Sequence, residues 1–439
     1  MKIELHNIAK VREADIKLNG LTVIAGVNGS GKSTVGKMLF SVVQALKSSQ
    51  KDFLLKSDNL LDKHIEALYT RLGSQSLKFA IDRNGLPPRH QLKRQLLNGE
   101  QNVVQLQETI NNFLDQHETI TPRTKALIEK DLNNIRLVIE NRDNRAAVQA
   151  SSIQNLIESE FINAVCSIGT QASEVKFEAS EFDNALLSFS LSNNSIQRVE
   201  CSDNYESIED ATYVESPLYL HLIDTLNYTM QYVEVDRTQP FIRTGMIPTH
   251  IKDFVVKIAQ ARLVAKERPS DRQTIMDNIQ GVTGGAFQFD KKTSRLYFGA
   301  NGKEYSPINT ASGIKTFGVL QLLLQSEAIS PNRILIWGEP ENHLHPEWQI
   351  QFADVILQLV EAGIPIVIST HSPYFLQAIR FYAAHHGVEK FVNYYLAEEV
   401  GDGLSDINEV TDELNQVFVK LSEPLQKILN IPNPKREER

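Results

Sequence analysis

The first 25 residues alternate apolar and polar positions at a spacing of two. Ile3, Leu5 and Ile8, then Ala14, Ile16 and Leu18, mark two half-buried strands. Leu21-Thr22-Val23-Ile24-Ala25 follows as a short, buried strand. The period then changes. Val35, Met38, Leu39, Val42 and Val43 recur at helical intervals and predict a helix from Thr34 to Leu46. From about 45 to 170 the pattern stays helical. Leu92, Leu96, Leu97, Val104, Leu106, Ile110 and Leu114 form one broken stripe, and Leu127, Ile128, Leu132, Ile135 and Ile139 form another. Pro87-Pro88, Gly99 and Thr121-Pro122 interrupt them, so the segment reads as a folded helical arm and not as one long coiled coil. Strand-like runs return at Leu186–Leu191, Ile196–Cys201 and Tyr213-Val214-Glu215. Helices are predicted near Tyr219–Tyr232 and Ile251–Lys266, and a hairpin at Ala286–Asp290 and Arg295–Phe298. Helix and strand then alternate, with Tyr394–Glu399 read as the last strand of the core. The order predicts an α/β fold in three parts: 1–45, a helical insertion at 46–170, and 171–439.

With 439 residues, the chain exceeds what one compact domain usually needs, in keeping with a core plus an insertion. A net charge of −9 argues against a general nucleic-acid coat, although a local basic groove stays open. Residues from about 155 to 236 are markedly acidic, a solvated face or a partner surface. The two cysteines, Cys166 and Cys201, form no CxxC, which excludes a cysteine zinc site and suits a reducing cytosol. No signal peptide and no membrane-length apolar run is present, so a soluble cytoplasmic protein is expected.

The chemistry begins after the third strand. Gly26-Val27-Asn28-Gly29-Ser30-Gly31-Lys32-Ser33 fits G-x-x-x-x-G-K-[ST], the phosphate-binding P-loop, between a strand and a helix as that motif requires. Backbone N–H groups of Asn28, Gly29, Ser30, Gly31 and Thr34 would cradle phosphate, Lys32 would reach the β and γ phosphates of ATP, and Ser33 would hold Mg²⁺. Arg333-Ile334-Leu335-Ile336-Trp337-Gly338-Glu339-Pro340-Glu341 is an apolar strand ending in carboxylates, with Glu339 the candidate base for water. Ile364–Pro373 is a second such run, and its His371 could meet the γ-phosphate or the attacking water. Ser312-Gly313 opens a helix whose N–H groups could take an anion. The P-loop already supplies one cradle, so this second one suggests the ATP of another subunit. His343 and His345 have no evident companions for a metal site.

Taken together, these motifs resemble the ABC-type ATPase heads of the group holding double-strand-break repair ATPases, SMC proteins and OLD nucleases. Gly26–Ser33 matches Walker A, and Ala311-Ser312-Gly313-Ile314-Lys315 resembles the signature loop. Gly338–Glu341 is similar to the D-E-P-E of Walker B, Asn342–Pro346 to the D-loop, and Ser369–Pro373 to the switch-histidine loop. More narrowly, the set looks like stand-alone AAA-type ATPases of anti-phage systems such as PARIS, Septu and retron-linked modules. The resemblance implies a P-loop head with a mixed sheet flanked by helices, using ATP and Mg²⁺. It implies a homodimer in which Lys32 and Ser33 of one head and Ser312, Gly313 and Lys315 of the other hold each nucleotide. Larger assemblies and DNA contact stay open, and no Q-loop glutamine is assigned, Gln239 being a weak candidate. OLD nucleases carry a further Toprim domain that the stretch after His371 is too short to hold, so a separate effector, nuclease or toxin, is expected. The expected function is therefore a sensor or gate in antiviral defence. A DNA-tethering repair ATPase and a hydrolysis-poor ATP-binding scaffold are the alternatives. A transporter subunit is disfavoured by the helical insertion. The family has Asp where this chain has Gly338, which would weaken hydrolysis, either in a natural slow ATPase or in a chain altered to trap ATP.

Overall fold

The computed structural model describes residues 1–47, 50–72, 86–99, 102–115, 122–140, 145–162, 164–167, 169–170, 172–178, 185–202, 208–230, 247–263 and 270–429. They divide into two compact units, one of residues 1–47 and 153–439, the other of residues 48–152. The second unit holds helices α2 (Gln50–Leu72), α3 (Arg89–Leu97), α4 (Val103–Asp115) and α5 (Pro122–Glu140). Its core is the two stripes read from the sequence, Leu92, Leu96, Leu106 and Ile110 with Ile128, Leu132 and Ile135, closed by Leu61 and Leu68 of α2. Helix α6 (Arg145–Phe161) begins in this unit, but its Ile153 and Ile157 belong to the core of the first. The compact insertion therefore ends earlier than residue 170.

The first unit is built on an eleven-stranded mixed sheet. In chain order its strands are β1 (Lys2–Ile8), β2 (Val11–Lys17), β3 (Leu21–Gly26), β4 (Ser173–Glu178), β5 (Ala185–Ser192), β6 (Ser195–Cys201), β7 (Asp210–Val214), β11 (Arg333–Gly338), β12 (Ile366–Thr370), β13 (Val392–Gly401) and β14 (Leu404–Glu409), with β8 to β10 (Ala286–Phe289, Leu296–Ala300, Lys303–Tyr305) forming a separate three-stranded sheet. Five neighbours, β13-β3-β12-β11-β7, run parallel, while β1, β2, β4, β5 and β6 pair antiparallel at one side.

The parallel strands are apolar on both faces because helices cover both. Ile24, Ile334, Ile336, Val367 and Tyr395 join the core under α1 (Lys32–Leu46). Val23, Leu335, Trp337, Ile368 and Leu396 join the core under α10 (Ser312–Gln325), α11 (Pro346–Glu361) and α12 (Pro373–His385). The period of two in the sequence thus sorts side chains between two layers of helix.

Three sequence expectations need correction. Tyr394–Glu399 lies in β13 but is not the last strand: a turn at Asp402 and Gly403, both at positive φ, reverses the chain into β14, which pairs back along β13 and reaches β2. The helix expected at Tyr219–Tyr232 is shorter. Ser216 caps a tight turn over 217–222, and α7 (Ile223–Tyr228) follows, with residues 231–246 outside the described set. Strand β4 was not anticipated, although its alternating Val175 and Phe177 are buried. Helices α8 (Thr249–Gln260), α9 (Ser270–Thr283) and α13 (Asn415–Leu429) complete the unit. No described helix is long and apolar enough to cross a membrane.

Candidate functional site

The register of the parallel strands gathers the site. Ala25 of β3 lies opposite Thr370 of β12, and Ser369 lies opposite both Ile24 and Gly338 of β11. Segments far apart in sequence therefore end side by side at the carboxyl edge of the sheet, where ligands of open α/β folds bind.

The P-loop turns there with backbone only glycine adopts readily. Gly29 has φ 79° and Gly31 φ 85°, and a Cβ on Gly31 would stand 2.9 Å from Val11 Cγ2. Ser30 Oγ donates to Val27 O at 2.8 Å, bracing the loop from within. Helix α1 starts at Lys32, and its first-turn N–H groups offer positive potential to an anion. Asn28, Gly29 and Ser33 are exposed, as a phosphate cradle requires.

Lys32 is buried. Its ammonium donates to Gly26 O at 2.9 Å and Val27 O at 2.8 Å and lies 3.7 Å from Glu339 Oε1. Burial lowers its pKa, and the nearby carboxylates of Glu339 and Glu341 oppose that shift.

Glu339 follows β11 at φ 50°, a left-handed conformation unusual for a long side chain. Its N–H donates to Ser369 O at 2.9 Å, which pins the turn to β12. Asn342 Nδ2 donates to Oε2 at 2.9 Å, and Oε1 lies 3.5 Å from His371 Nδ1. Lys32, Glu339 and His371 are thus brought together, with the carboxylate between the two nitrogens.

Glu341, the second carboxylate of the Walker B-like run, is a clamp. It is buried, and Oε1 accepts from Thr370 Oγ1 at 2.6 Å and from His371 N at 3.0 Å. Burial raises its pKa. It sets the backbone at His371. Two further groups escaped the sequence reading. Lys10, in the β1–β2 turn, brings Nζ to 3.6 Å from where a Gly29 Cβ would stand. Tyr213 lines a small cavity behind the P-loop with Lys32, Ser33, Gly338 and Ser369. Neither belongs to a motif with fixed spacing, so no sequence signal marked them. Gln239 lies outside the described residues.

The structure does not bring Ser312, Gly313 and Lys315 into this group. Their contacts run to other parts of the unit. A Cβ on Gly313 would stand 2.9 Å from Trp348 Cε3 and 3.2 Å from Leu344 Cδ2, so glycine allows that close approach. Lys315 Nζ lies 3.5 Å from His221 Nδ1, and burial lowers its pKa. His345 caps α11, its Nδ1 accepting from Glu347 N at 3.4 Å. Among the described residues, no group of three or more His, Cys, Asp or Glu could hold a metal by itself. The Ser33 hydroxyl fits Mg²⁺ only as a hard oxygen donor completed by phosphate and water, the usual way that ion is held.

Residues 287–376 match the family model described as an AAA ATPase domain. The matched segment spans Ser312, Glu339 and His371, and the P-loop lies before it. Set beside the site, this match marks the chain as an ATPase. No curated protein matches the chain. Among solved structures, it is similar to the SMC head domain from Thermotoga maritima at 12% identity and TM-score 0.37, over 93% of this chain and 98% of that one. It is also similar to an Smc head domain with an extended coiled coil bound to the C-terminal domain of ScpA, derived from Pyrococcus furiosus, at 11% identity and TM-score 0.42, over 98% and 99% of the two chains. Scores this low describe loose superpositions.

Proposed function

We propose that this chain is an ATP-gated head that closes on a second copy of itself and thereby controls a separate effector in antiviral defence. The observation that carries the closure is the division of its phosphate-binding groups. The P-loop, Glu339 and His371 share one edge of the sheet, while the α10 start at Ser312 has its contacts elsewhere. In this reading Lys32 and Ser33 bind the triphosphate of their own head with Mg²⁺, which supplies charge neutralisation at the β and γ phosphates. Glu339 takes the proton of the attacking water, and His371 orients that water or the γ-phosphate. The Ser312-Gly313 turn and Lys315 of the partner copy close over the same nucleotide. The link to defence rests on the resemblance of the motif set. Phage protection by the chain with its genomic neighbours tests that role, and protection that survives without the chain would count against it.

Closure has a direct test. Ser312→Glu places a carboxylate at a helix start, where the helix dipole favours it, so α10 should stay folded. The same charge repels a partner's γ-phosphate. Sedimentation with a non-hydrolysable ATP analogue should show the dimer lost and monomer affinity for ATP changed by less than about twofold. Normal closure by the variant would sink the shared-site reading.

Gly338 favours a second reading, a hydrolysis-poor scaffold. A Cβ there would stand 3.5 Å from Tyr213 Oη and 3.8 Å from Val214 O, both ordinary contacts, so the backbone admits aspartate. Gly338→Asp should raise phosphate release about 10-fold or more by adding one charge-assisted contact. Unchanged release, already fast in the parent, would remove this second reading.

A further inference from the structure

The Ser33 hydroxyl has a polar neighbour that no motif announces. Tyr213, near the end of β7, is 2% exposed, and its ring is enclosed from several directions. One edge meets Gly36 of α1, where a Cβ would come within 3.3 Å of Cε2. The hydroxyl lies 3.5 Å from where a Gly338 Cβ would stand. The His250 ring is also against it, with centroids 4.9 Å apart. His250 is fixed in turn by Glu160, 2.6 Å from Nδ1, and by Glu215, 3.3 Å from Nε2. The absent side chain at 36 thus makes room for the phenol, and Gly338 lies beside its hydroxyl. Tyr213 and Ser33 line the same small cavity behind the P-loop, which sets the phenol beside the serine side chain.

We propose that Tyr213 is a positioning residue for Ser33: Ser33 donates its proton to the phenolic oxygen and so keeps its lone pairs for the cation of bound Mg–ATP. This rests on the ATP site proposed above. A neutral phenol serves here at the place where Gly338 offers no charge. Removing the hydroxyl should therefore weaken the cation's hold on the nucleotide without disturbing the packing of the ring.

The test uses the full chain and a fluorescent ATP analogue, with binding followed as Mg²⁺ is added. Tyr213→Phe keeps the ring against Gly36. The Mg²⁺ concentration for half-maximal binding should rise about 3- to 10-fold, the worth of one hydrogen bond, while binding in EDTA stays at the parent level. In a Ser33→Ala background, the Tyr213→Phe change should cost nothing more, because the two groups act as one. Parent-like Mg²⁺ dependence in folded Tyr213→Phe would overturn the proposal, as would an undiminished effect in the Ser33→Ala background. If the parent chain binds no nucleotide under any condition, the ATP site itself fails. If it binds and only the Tyr213 arms fail, the positioning role alone is wrong.

Discussion

Lys32→Ala is expected to lower ATP affinity by at least about 100-fold, since each lost hydrogen bond from a charged donor to phosphate is worth about 1.5–3 kcal/mol. The fold should not suffer with it. Lys32 is buried with its pKa pushed down, so its charge is held against desolvation, and its nearest carboxylate, on Glu339, is also reached by Asn342 and His371. Removing the ammonium takes one donor each from Gly26 O and Val27 O, but Val27 O keeps Ser30 Oγ and Glu339 keeps Asn342, so any fall in the melting temperature should be small beside the loss of affinity. Titration of a fluorescent ATP analogue beside a thermal melt separates the two effects. Parent-like affinity would show that the P-loop is not where nucleotide binds. Lost affinity together with a collapsed melt would instead make Lys32 a structural residue.

The second large effect belongs to Glu339. Glu339→Gln preserves length and can still accept from Asn342, but it cannot take a proton from water. Turnover should fall about 100- to 10,000-fold, the usual contribution of a positioned general base. ATP affinity should hold, so ATP-bound dimers should accumulate, which light scattering during a phosphate-release assay would reveal. Turnover within about threefold of the parent would move the base elsewhere, at a loss well below what such a group supplies. Glu341 is a poor replacement, because its side chain is buried away from water and Thr370 and the His371 N–H hold its Oε1 in place.

The legible part of this chain was the part written in local pattern. The period of two before Gly26 and the helical period after Lys32 place the P-loop between β3 and α1, and both elements are observed there. Strands ending at Gly338 and Thr370 could be read in the same way, because apolar runs bounded by polar turns mark buried strands. What the sequence could not carry was pairing. Nothing local says that Ser369 stands opposite both Ile24 and Gly338, and that register is what brings Glu339 to Lys32. The role of Glu341 was hidden for the same reason: its partners lie 29 and 30 positions later. Tyr213 was hidden more deeply. Its surroundings include glycines from two other elements, and a tyrosine in a strand pattern otherwise means only core. The insertion's outer limit was blurred because α6 is one continuous helix that starts in the second unit, while its Ile153 and Ile157 join the core of the first.

Strand β3 has a consequence for how this protein is made. Both of its neighbours, β12 and β13, are translated long after it, and β2 waits likewise for β14. At about 5–20 residues per second, a ribosome needs roughly 20–75 s to travel from the P-loop to the end of β13. Throughout that interval Gly26–Ser33 emerges attached to an unpaired apolar strand, and the newborn chain has no finished nucleotide pocket. The sheet edge that gathers Lys32, Glu339 and His371 therefore forms only after β12 and β13 are made, and a chain interrupted before them lacks it.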